Sequence, residues 1–505
     1  MTRRWWALGA LVASMLVLGF DMTILNVALP TLAGDLGATT GEQQWMADAY
    51  VVVFAALMLP AGLLGDRFGR RRMLICGLAV FLAGSLVGVL ADGVPAVVAA
   101  RCVMGAGAAF VMPLALSVLP SLFGEPEDRI KAVGIVSAAS AIGMPLGPVV
   151  GGWLLDHFWW GSVFLVNVPM VALGIAACVF LLPETSDPAA PRVDPVSTAL
   201  TATGLGALIY AIIEAPGRGW GDPLVLATAA AGAVLLGCLV VRERGTAVPM
   251  LDLGLLRQRT FLLSTLAATL VMFVLAGLMF VLPGYLQAVL GHDAFGTGLR
   301  ILPLMGGLVL TAKAGAPVTA RFGARATVAA GLAVLAFAAL LGSRTTVDSG
   351  YGFTALWLSV AGIGFGFAVV PSMDAALGAL PADRAGRGSG LLMTVRQTGS
   401  ALGIALLGSV LAAAYGNRLD TTGVPAAAAD TAGDSVVAAH AVAARLGAQR
   451  LADSADAAYL HGMSLVLVVV AATALAGALL VGAFLPPADR PAGRTADVAG
   501  APVDA

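Results

Sequence analysis

Charge is what this 505-residue chain has least of: Asp, Glu, Lys and Arg make up 11% of it, against roughly 25% in ordinary soluble domains. Together with a strongly positive mean hydropathy, that shortage excludes a protein whose surface mostly faces water. Cysteine is also scarce. The four, Cys76, Cys102, Cys178 and Cys238, fall inside apolar runs without metal-ligand spacing, so neither a disulfide framework nor a zinc site is implied. A formal net charge of -1 gives no basic bias toward nucleic acid. No Gly-x4-Gly-Lys-Ser/Thr phosphate loop occurs, which removes ATP as the expected fuel. Nor does a metal-ligand cluster, a nucleophile elbow or a pair of catalytic carboxylates argue for an enzyme.

Apolar sequence is abundant, in runs that recur from Trp5 to Leu485 with short polar breaks. A hydrocarbon core of about 30 Å takes roughly 20 residues of helix. On that basis fourteen spans are predicted, at 5–29, 43–64, 73–91, 95–119, 130–152, 161–182, 196–213, 222–241, 260–283, 297–318, 325–342, 352–371, 390–414 and 462–485. Arg3 and Arg4 before the first run resemble the start of a signal peptide. The run is long enough to span and more spans follow directly, so it is read as a retained helix.

Orientation follows from the basic residues, because positive charge is kept on the cytoplasmic side. With the N-terminus there, 19 of the 28 Lys and Arg fall on that side and 5 on the other. The remaining four, Arg101, Arg300, Lys313 and Arg396, lie within or at the edges of spans. Both termini are then cytoplasmic, in a multi-pass protein of the cell membrane.

Arg67-Phe68-Gly69 after the second span is echoed by Arg321-Phe322-Gly323 after the tenth. Such parallel repeats suit a transporter built from two similar halves. The expected organisation is a six-helix bundle over 1–182, an inserted helix pair with flanking loops over 183–259, and a second six-helix bundle over 260–485. A partly helical external loop is expected at 415–461 and a disordered cytoplasmic tail at 486–505, rich in Pro, Ala and Asp.

Two patterns carry chemistry. The segment Gly62-Leu-Leu-Gly65-Asp66-Arg67-Phe68-Gly69-Arg70-Arg71-Arg72 sets one carboxylate among four arginines, with glycines that permit tight turning. Such a cluster can hold helix termini in one conformation and release them in another; the plain alternative is a solvated basic loop. In the fifth span Gly134, Gly143, Gly147, Pro148, Gly151 and Gly152 line up. Glycine costs a helix roughly 1 kcal/mol relative to Ala, and in a membrane the usual return is close helix packing, with the proline adding a kink.

With these residues the chain resembles the major facilitator superfamily. The loop is similar to the motif that joins helices 2 and 3 of that family, and the fifth span to the antiporter motif of its drug exporters. Asp21-Met-Thr23-Ile-Leu-Asn26-Val-Ala-Leu-Pro30 resembles the signature of the fourteen-span drug:proton antiporter branch, which includes multidrug and quaternary-ammonium exporters. Further similarities are Arg101 with Gly105-Ala-Gly107, Phe164-Leu-Val-Asn167-Val-Pro169 and Tyr285-Leu-Gln287. Two departures stand out: the second echo has Ala320 where the first has Asp66, and Asp48 is a charge outside the family pattern.

The resemblance implies an all-α fold of two six-helix bundles plus an inserted pair, which exports drug-like or antibiotic-like organic molecules in exchange for protons and needs no cofactor. Asp21 lies about nine residues, or ~14 Å, before Pro30, and Arg101 about six residues, or ~9 Å, after Pro95. Both sit at similar depth in the outer half, where an unpaired charge is costly. A static ion pair is one reading; proton coupling through Asp21 and Arg101, with Asp48 secondary, is the one the resemblance favours. Asn26, Phe110, Met112, Phe273, Phe280, Phe365, Arg396 and Gln397 are candidates for the substrate cavity. The expected partners are a small organic substrate, protons and the lipid bilayer, with the protein a monomer. The same fold could instead export one metabolite, such as an amino acid, lipid or siderophore; a membrane enzyme or receptor is the alternative of another class.

Overall fold

The computed structural model describes residues 2–123, 125–186, 193–246, 249–380 and 385–486. In chain order the helices are α1 (Thr2–Leu36), α2 (Thr40–Phe68), α3 (Arg70–Val89), α4 (Val94–Leu122), α5 (Pro126–His157), α6 (Ser162–Leu165), α7 (Asn167–Leu181), α8 (Pro195–Arg218) and α9 (Pro223–Gly245). They continue as α10 (Arg259–Gly284), α11 (Ala294–Gly342), α12 (Tyr351–Gly378), α13 (Ala385–Arg418), α14 (Ala426–Asp434), α15 (Val436–Leu446) and α16 (Gln449–Phe484). Among the described residues there is no strand. Thirteen segments there are long and apolar enough to cross a membrane; they do not include α5, itself 32 residues long.

Helix α1 packs on α5 and α7, and α3 on α4 and α7, while α10 packs on α12 and α13 and α11 on α12 and α16. The two groups meet mainly where α5 lies on α11 and α2 on α13. Helices α8 and α9 pair with each other, and α8 also touches α2 and α13. An ion pair fixes that hairpin: Asp194, which caps α8, takes Arg242 from the end of α9 at 2.8 Å. The guanidinium holds the Asp194 carboxyl well below the usual carboxylate range.

Local chemistry explains where the helices differ from the predicted spans. The span at 161–182 breaks between α6 and α7 because Pro169 cannot donate to the carbonyl of Leu165, four residues earlier. The spans at 297–318 and 325–342 are the two arms of α11, which bends at Gly323 (φ 83°). Gly69 also has positive φ, 110°. The Arg-Phe-Gly echo therefore repeats in geometry: each glycine takes a backbone conformation that side chains resist, and each arginine lies over the next ring, Arg67 at 5.8 Å from Phe68 and Arg321 at 5.4 Å from Phe322.

The segment at 415–461 is more helical than a loop. Helix α13 runs on to Arg418, α14 and α15 follow, and α16 begins at Gln449. Alanine-rich sequence favours helix, and α15 buries Val436, Ala439, Val442 and Ala443 along one side. Glu214, just past the predicted span at 196–213, lies within α8 and pairs with Arg218 one turn on at 2.9 Å. Residues 487–505, expected to be a disordered tail, lie outside the described residues, as does the side chain of Lys313.

Candidate functional site

Asp21 on α1 and Arg101 on α4 meet inside the bundle, with 1% and 3% of their surface exposed. Arg101 donates from Nη1 to Asp21 Oδ2 at 3.0 Å and from Nε to the Met46 carbonyl of α2 at 3.3 Å. Its guanidinium also lies 4.2 Å from the centroid of the Tyr50 ring. The other carboxylate oxygen, Asp21 Oδ1, accepts from Asn167 Nδ2 of α7 at 3.1 Å. One carboxylate thus joins three helices through charge-assisted bonds.

Asp48 takes no part in this cluster. It is fully buried in α2, and neither of its oxygens has a hydrogen-bond partner among the described residues. One turn earlier on the same helix, Gln44 donates from Nε2 to the Ile404 and Ala405 carbonyls of α13 at 3.1 and 2.8 Å. Asp48 therefore occupies a helix that crosses between the two groups.

A cavity lies between those groups. It is lined by Met22, Thr23, Leu25 and Asn26 of α1, Ala47, Tyr50 and Val51 of α2, Arg101 of α4 and Met144 of α5. From the second group come Met272, Leu275, Ala276 and Met279 of α10 and Gln397, Ser400 and Ile404 of α13. Four methionines, together with a few neutral polar groups, make a soft wall that adapts to different shapes. Among the described residues, the only charged side chain in the lining is Arg101.

Of the candidates for this cavity, Asn26 and Gln397 line it and six others do not. Phe110 lies on the side of α4 that faces Gly77 of α3. Phe365 is fully buried on α12, a helix that contributes nothing to the lining. Phe273 and Met112 pack against the apolar core. Phe280 lines a separate cavity beneath α15 with Leu29, Pro30 and Tyr459. Arg396 turns toward α12, where Nη1 meets Met373 Sδ at 2.8 Å. Residue type names a candidate; it does not say which way the side chain faces.

The glycines of α5 have two addresses. A Cβ on Gly143 would sit 2.7 Å from the Leu16 carbonyl oxygen, and one on Gly147 2.6 Å from that of Phe20, both in α1. Gly151 faces Ile24 of α1, whereas Gly152 abuts the Ala294 backbone of α11 and Gly298 of α11 abuts Pro148. Hence α5 packs tightly on its own group and on the other group at once. The surroundings of Gly134 lie outside the described residues.

Pro148 has a further effect. Lacking an N–H, it leaves the Met144 carbonyl without a helical partner, and Thr23 Oγ1 donates to that oxygen from α1 at 2.8 Å.

The basic cluster binds within the first group of helices. Arg70 holds Asp66 through Nε at 2.8 Å and the Ser117 carbonyl of α4 through Nη1 at 2.9 Å. Arg71 Nη1 donates to the Leu182 carbonyl at the end of α7 at 3.1 Å, a favourable place for a cation. Gly69 packs on Glu184, which accepts from the Arg71 backbone at 3.1 Å and lies 3.5 Å from Arg72. Gly65 is pressed against Leu114, Gly62 meets Pro113 at ordinary contact, and Arg67 stacks on Phe68.

Among the described residues, hydrogen bonds between the groups gather toward the other end of the bundle. There Asp156 of α5 accepts from the Ala294 and Phe295 backbones at 3.2 and 3.0 Å. Gln287, in a wide turn after α10, donates to the Val27 carbonyl at 2.8 Å. The sequence reading missed Gln44, Asp156 and Glu184 altogether, because a lone polar residue at a helix end carries no pattern. Tyr50 had no signal either.

The sequence profile of the Major Facilitator Superfamily matches residues 11–404. The chain is 36% identical over 496 residues to the multidrug efflux pump LfrA of Mycolicibacterium smegmatis, covering 95% of this chain and 96% of that protein. It is 32% identical to the tetracenomycin C resistance and export protein of Streptomyces glaucescens, over 82% of this chain and 77% of that one. A crystal structure of a bacterial homologue of the human lysosomal transporter Spinster, inward-facing and unoccupied, superposes with a TM-score of 0.69 at 18% identity, over 95% of this chain and 97% of that chain. On the profile match and these identities, the chain belongs to the major facilitator superfamily and is a multi-pass membrane transporter rather than an enzyme.

Proposed function

We propose that the protein is a proton-coupled antiporter that exports drug-like or antibiotic-like organic molecules across the cytoplasmic membrane by alternating access. The observation that carries the proposal is the buried Asp21–Arg101 pair, whose arginine reaches the wall of a cavity shared by both groups of helices. A buried carboxylate beside a substrate cavity can trade a proton for cargo, because burial favours the protonated form and the arginine the ionised one. The relatives named for efflux and antibiotic resistance support an organic cargo. Asp48, buried with no hydrogen-bond partner among the described residues, is the second candidate to carry a proton.

In this reading α5 makes the fourteenth span, the two bundles are 1–182 and 260–485, and α8 and α9 form the inserted pair at 183–259. Both termini are cytoplasmic, and a monomer suffices because the cavity lies within one chain. The end closed by Gln44, Asp156 and Gln287 is then the outer one, and cargo enters from the cytoplasm or inner leaflet. The cluster of Asp66, Arg67, Arg70 and Arg71 works at the inner end, trading its present contacts for others as the bundles rock. Inward proton movement supplies the energy, ~2.3 kcal/mol per charge per 100 mV for the electrical part, and no cofactor takes part.

The test is substrate-induced proton release from purified protein in detergent, screened over cationic dyes and antibiotics. Release in wild type that is lost in Asp21→Asn is the expected result. No release with any compound, from protein shown to be folded, would overturn the proposal in favour of a narrow metabolite exporter or another coupling ion.

A further inference from the structure

Asn167 is fully buried where α7 begins, and only half of its amide is used. Nδ2 donates to Asp21 Oδ1 at 3.1 Å. Oδ1 has no hydrogen-bond partner among the described residues. Buried polar atoms are nearly always satisfied, so an orphan acceptor on the very amide that binds Asp21 needs a reason.

The other partner of Asp21 cannot supply what the amide can. Arg101 carries donors only, so its Nη1, 3.0 Å from Oδ2, serves the ionised carboxylate alone. When Asp21 gains a proton on Oδ1, that O–H needs an acceptor, and the nearest side chain presents N–H groups to it. A half-turn about the last side-chain torsion of Asn167 exchanges its nitrogen and oxygen in nearly the same space. No backbone has to move.

We propose that Asn167 is a positioning residue for proton exchange, whose amide turns over as Asp21 is protonated, donating from Nδ2 to the ionised form and accepting at Oδ1 from the neutral one. The inference rests on Asp21 being the proton carrier. Asn167 keeps both of its own N–H hydrogens throughout; the proton comes from water and stays on Asp21 Oδ1 until it is released. The amide thereby removes the penalty that a donor-only shell would place on the neutral state.

The charged and titratable groups around the pair are few. Arg101 faces it from α4, with Cys102 beside that arginine, and Tyr50 faces it from α2. Asp48, two residues before Tyr50, makes no hydrogen bond to any of them. Among the described residues, α5 and α7 set no charged side chain against Asp21.

The experiment is infrared difference spectroscopy between high and low pH on the full chain in lipid nanodiscs, with asparagine side-chain carbonyls isotope-labelled. On acidification a carboxylic C=O band appears that is absent in Asp21→Asn. With it, one asparagine C=O band moves to lower frequency as the orphan oxygen gains a hydrogen bond, and this change is lost in Asn167→Leu. Because Asn167 does not line the cavity, Asn167→Leu lowers proton-driven turnover about tenfold, the scale of one charge-assisted hydrogen bond, with KM unchanged. Asn167→Gln recovers part of the loss.

An Asp21-dependent carboxyl band without any asparagine change in wild type would show the amide to be a fixed donor and overturn the inference alone. A carboxyl band that persists unchanged in Asp21→Asn would overturn the proton assignment beneath it. The wild-type asparagine band decides the matter even if the leucine variant does not fold.

Discussion

Thr23 of α1 supplies the hydrogen bond that Pro148 takes away from α5: its hydroxyl lies 2.8 Å from the Met144 carbonyl oxygen. Two motifs 121 residues apart in sequence are therefore parts of one joint, in which the proline frees an acceptor and the threonine fills it. Thr23→Val keeps the shape and removes the donor, which leaves a carbonyl unsatisfied at a cost of about 1–3 kcal/mol. We expect a lower thermal unfolding midpoint in detergent for Thr23→Val and near wild-type behaviour for Thr23→Ser. Equal midpoints for valine and wild type would sink the joint.

Arg101 does three things at once: it pairs with Asp21, donates to the Met46 carbonyl and lies over Tyr50. Lysine has the charge but not the planar fork, so Arg101→Lys is expected to fold and to transport at least about tenfold more slowly, one lost charge-assisted contact. Arg101→Ala leaves a buried carboxylate with Asn167 but without its counter-charge and should cost about 3–5 kcal/mol. Adding Asp21→Asn to the alanine variant removes that charge. Thermal unfolding of the single and double variants checks this, and a double variant no more stable than Arg101→Ala would contradict it.

Much of this architecture could be read from the chain. Apolar run length predicts the crossing helices because a bilayer imposes one length scale, and the depth count from Pro30 and Pro95 puts Asp21 and Arg101 level, as they are found. The Arg-Phe-Gly echo is legible because positive φ demands glycine at both copies. What could not be read is azimuth. Phe110 and Phe365 are candidates for the cavity as aromatic side chains, yet Phe110 faces α3 and α12 lines no part of the cavity. With lipid on the outside and apolar packing on the inside, a membrane helix shows little polarity contrast around its axis. Asn167 was visible as part of a motif, but its bond to Asp21 joins residues 146 positions apart, and no local pattern reports such a pairing.

The glycines of α5 make a prediction that rests largely on neighbouring backbone, although a methyl on Gly147 would meet the Thr23 hydroxyl first. A methyl on Gly147 would lie 2.6 Å from the Phe20 carbonyl oxygen and 2.9 Å from the Ile24 nitrogen. Neither atom can swing aside, so Gly147→Ala should cost about 1–3 kcal/mol by overpacking, and Gly147→Leu should block transport. Gly9→Ala on α1 meets nothing within 4 Å and serves as the control. Transport by Gly147→Leu at the wild-type rate would show that α1 and α5 are free to separate.

The helices between α13 and α16 carry a pH-sensitive tie. His440 of α15 lies 2.8 Å from Asp456 of α16, and the bond to that carboxylate raises the imidazole above its ordinary value of 6.5. A raised folded-state value means that the tie is fully present below about 6.5 and is lost as pH rises through the higher value. Helices α14 and α15 rest on the first group of helices, where Thr40 Oγ1 donates to the Asp434 carbonyl at 2.9 Å and Val437 lies against Gly34. Loosening His440 should therefore loosen the cover over the closed end. Amide hydrogen exchange across residues 436–446, corrected for its intrinsic pH dependence, is expected to be slowest below pH ~6.5 and to quicken above the raised value. Asp456→Asn should flatten that profile by removing the charge that holds the imidazolium. A wild-type profile that is already flat would mean that apolar contacts of Val436, Ala439 and Val442 hold α15 in place without the ion pair.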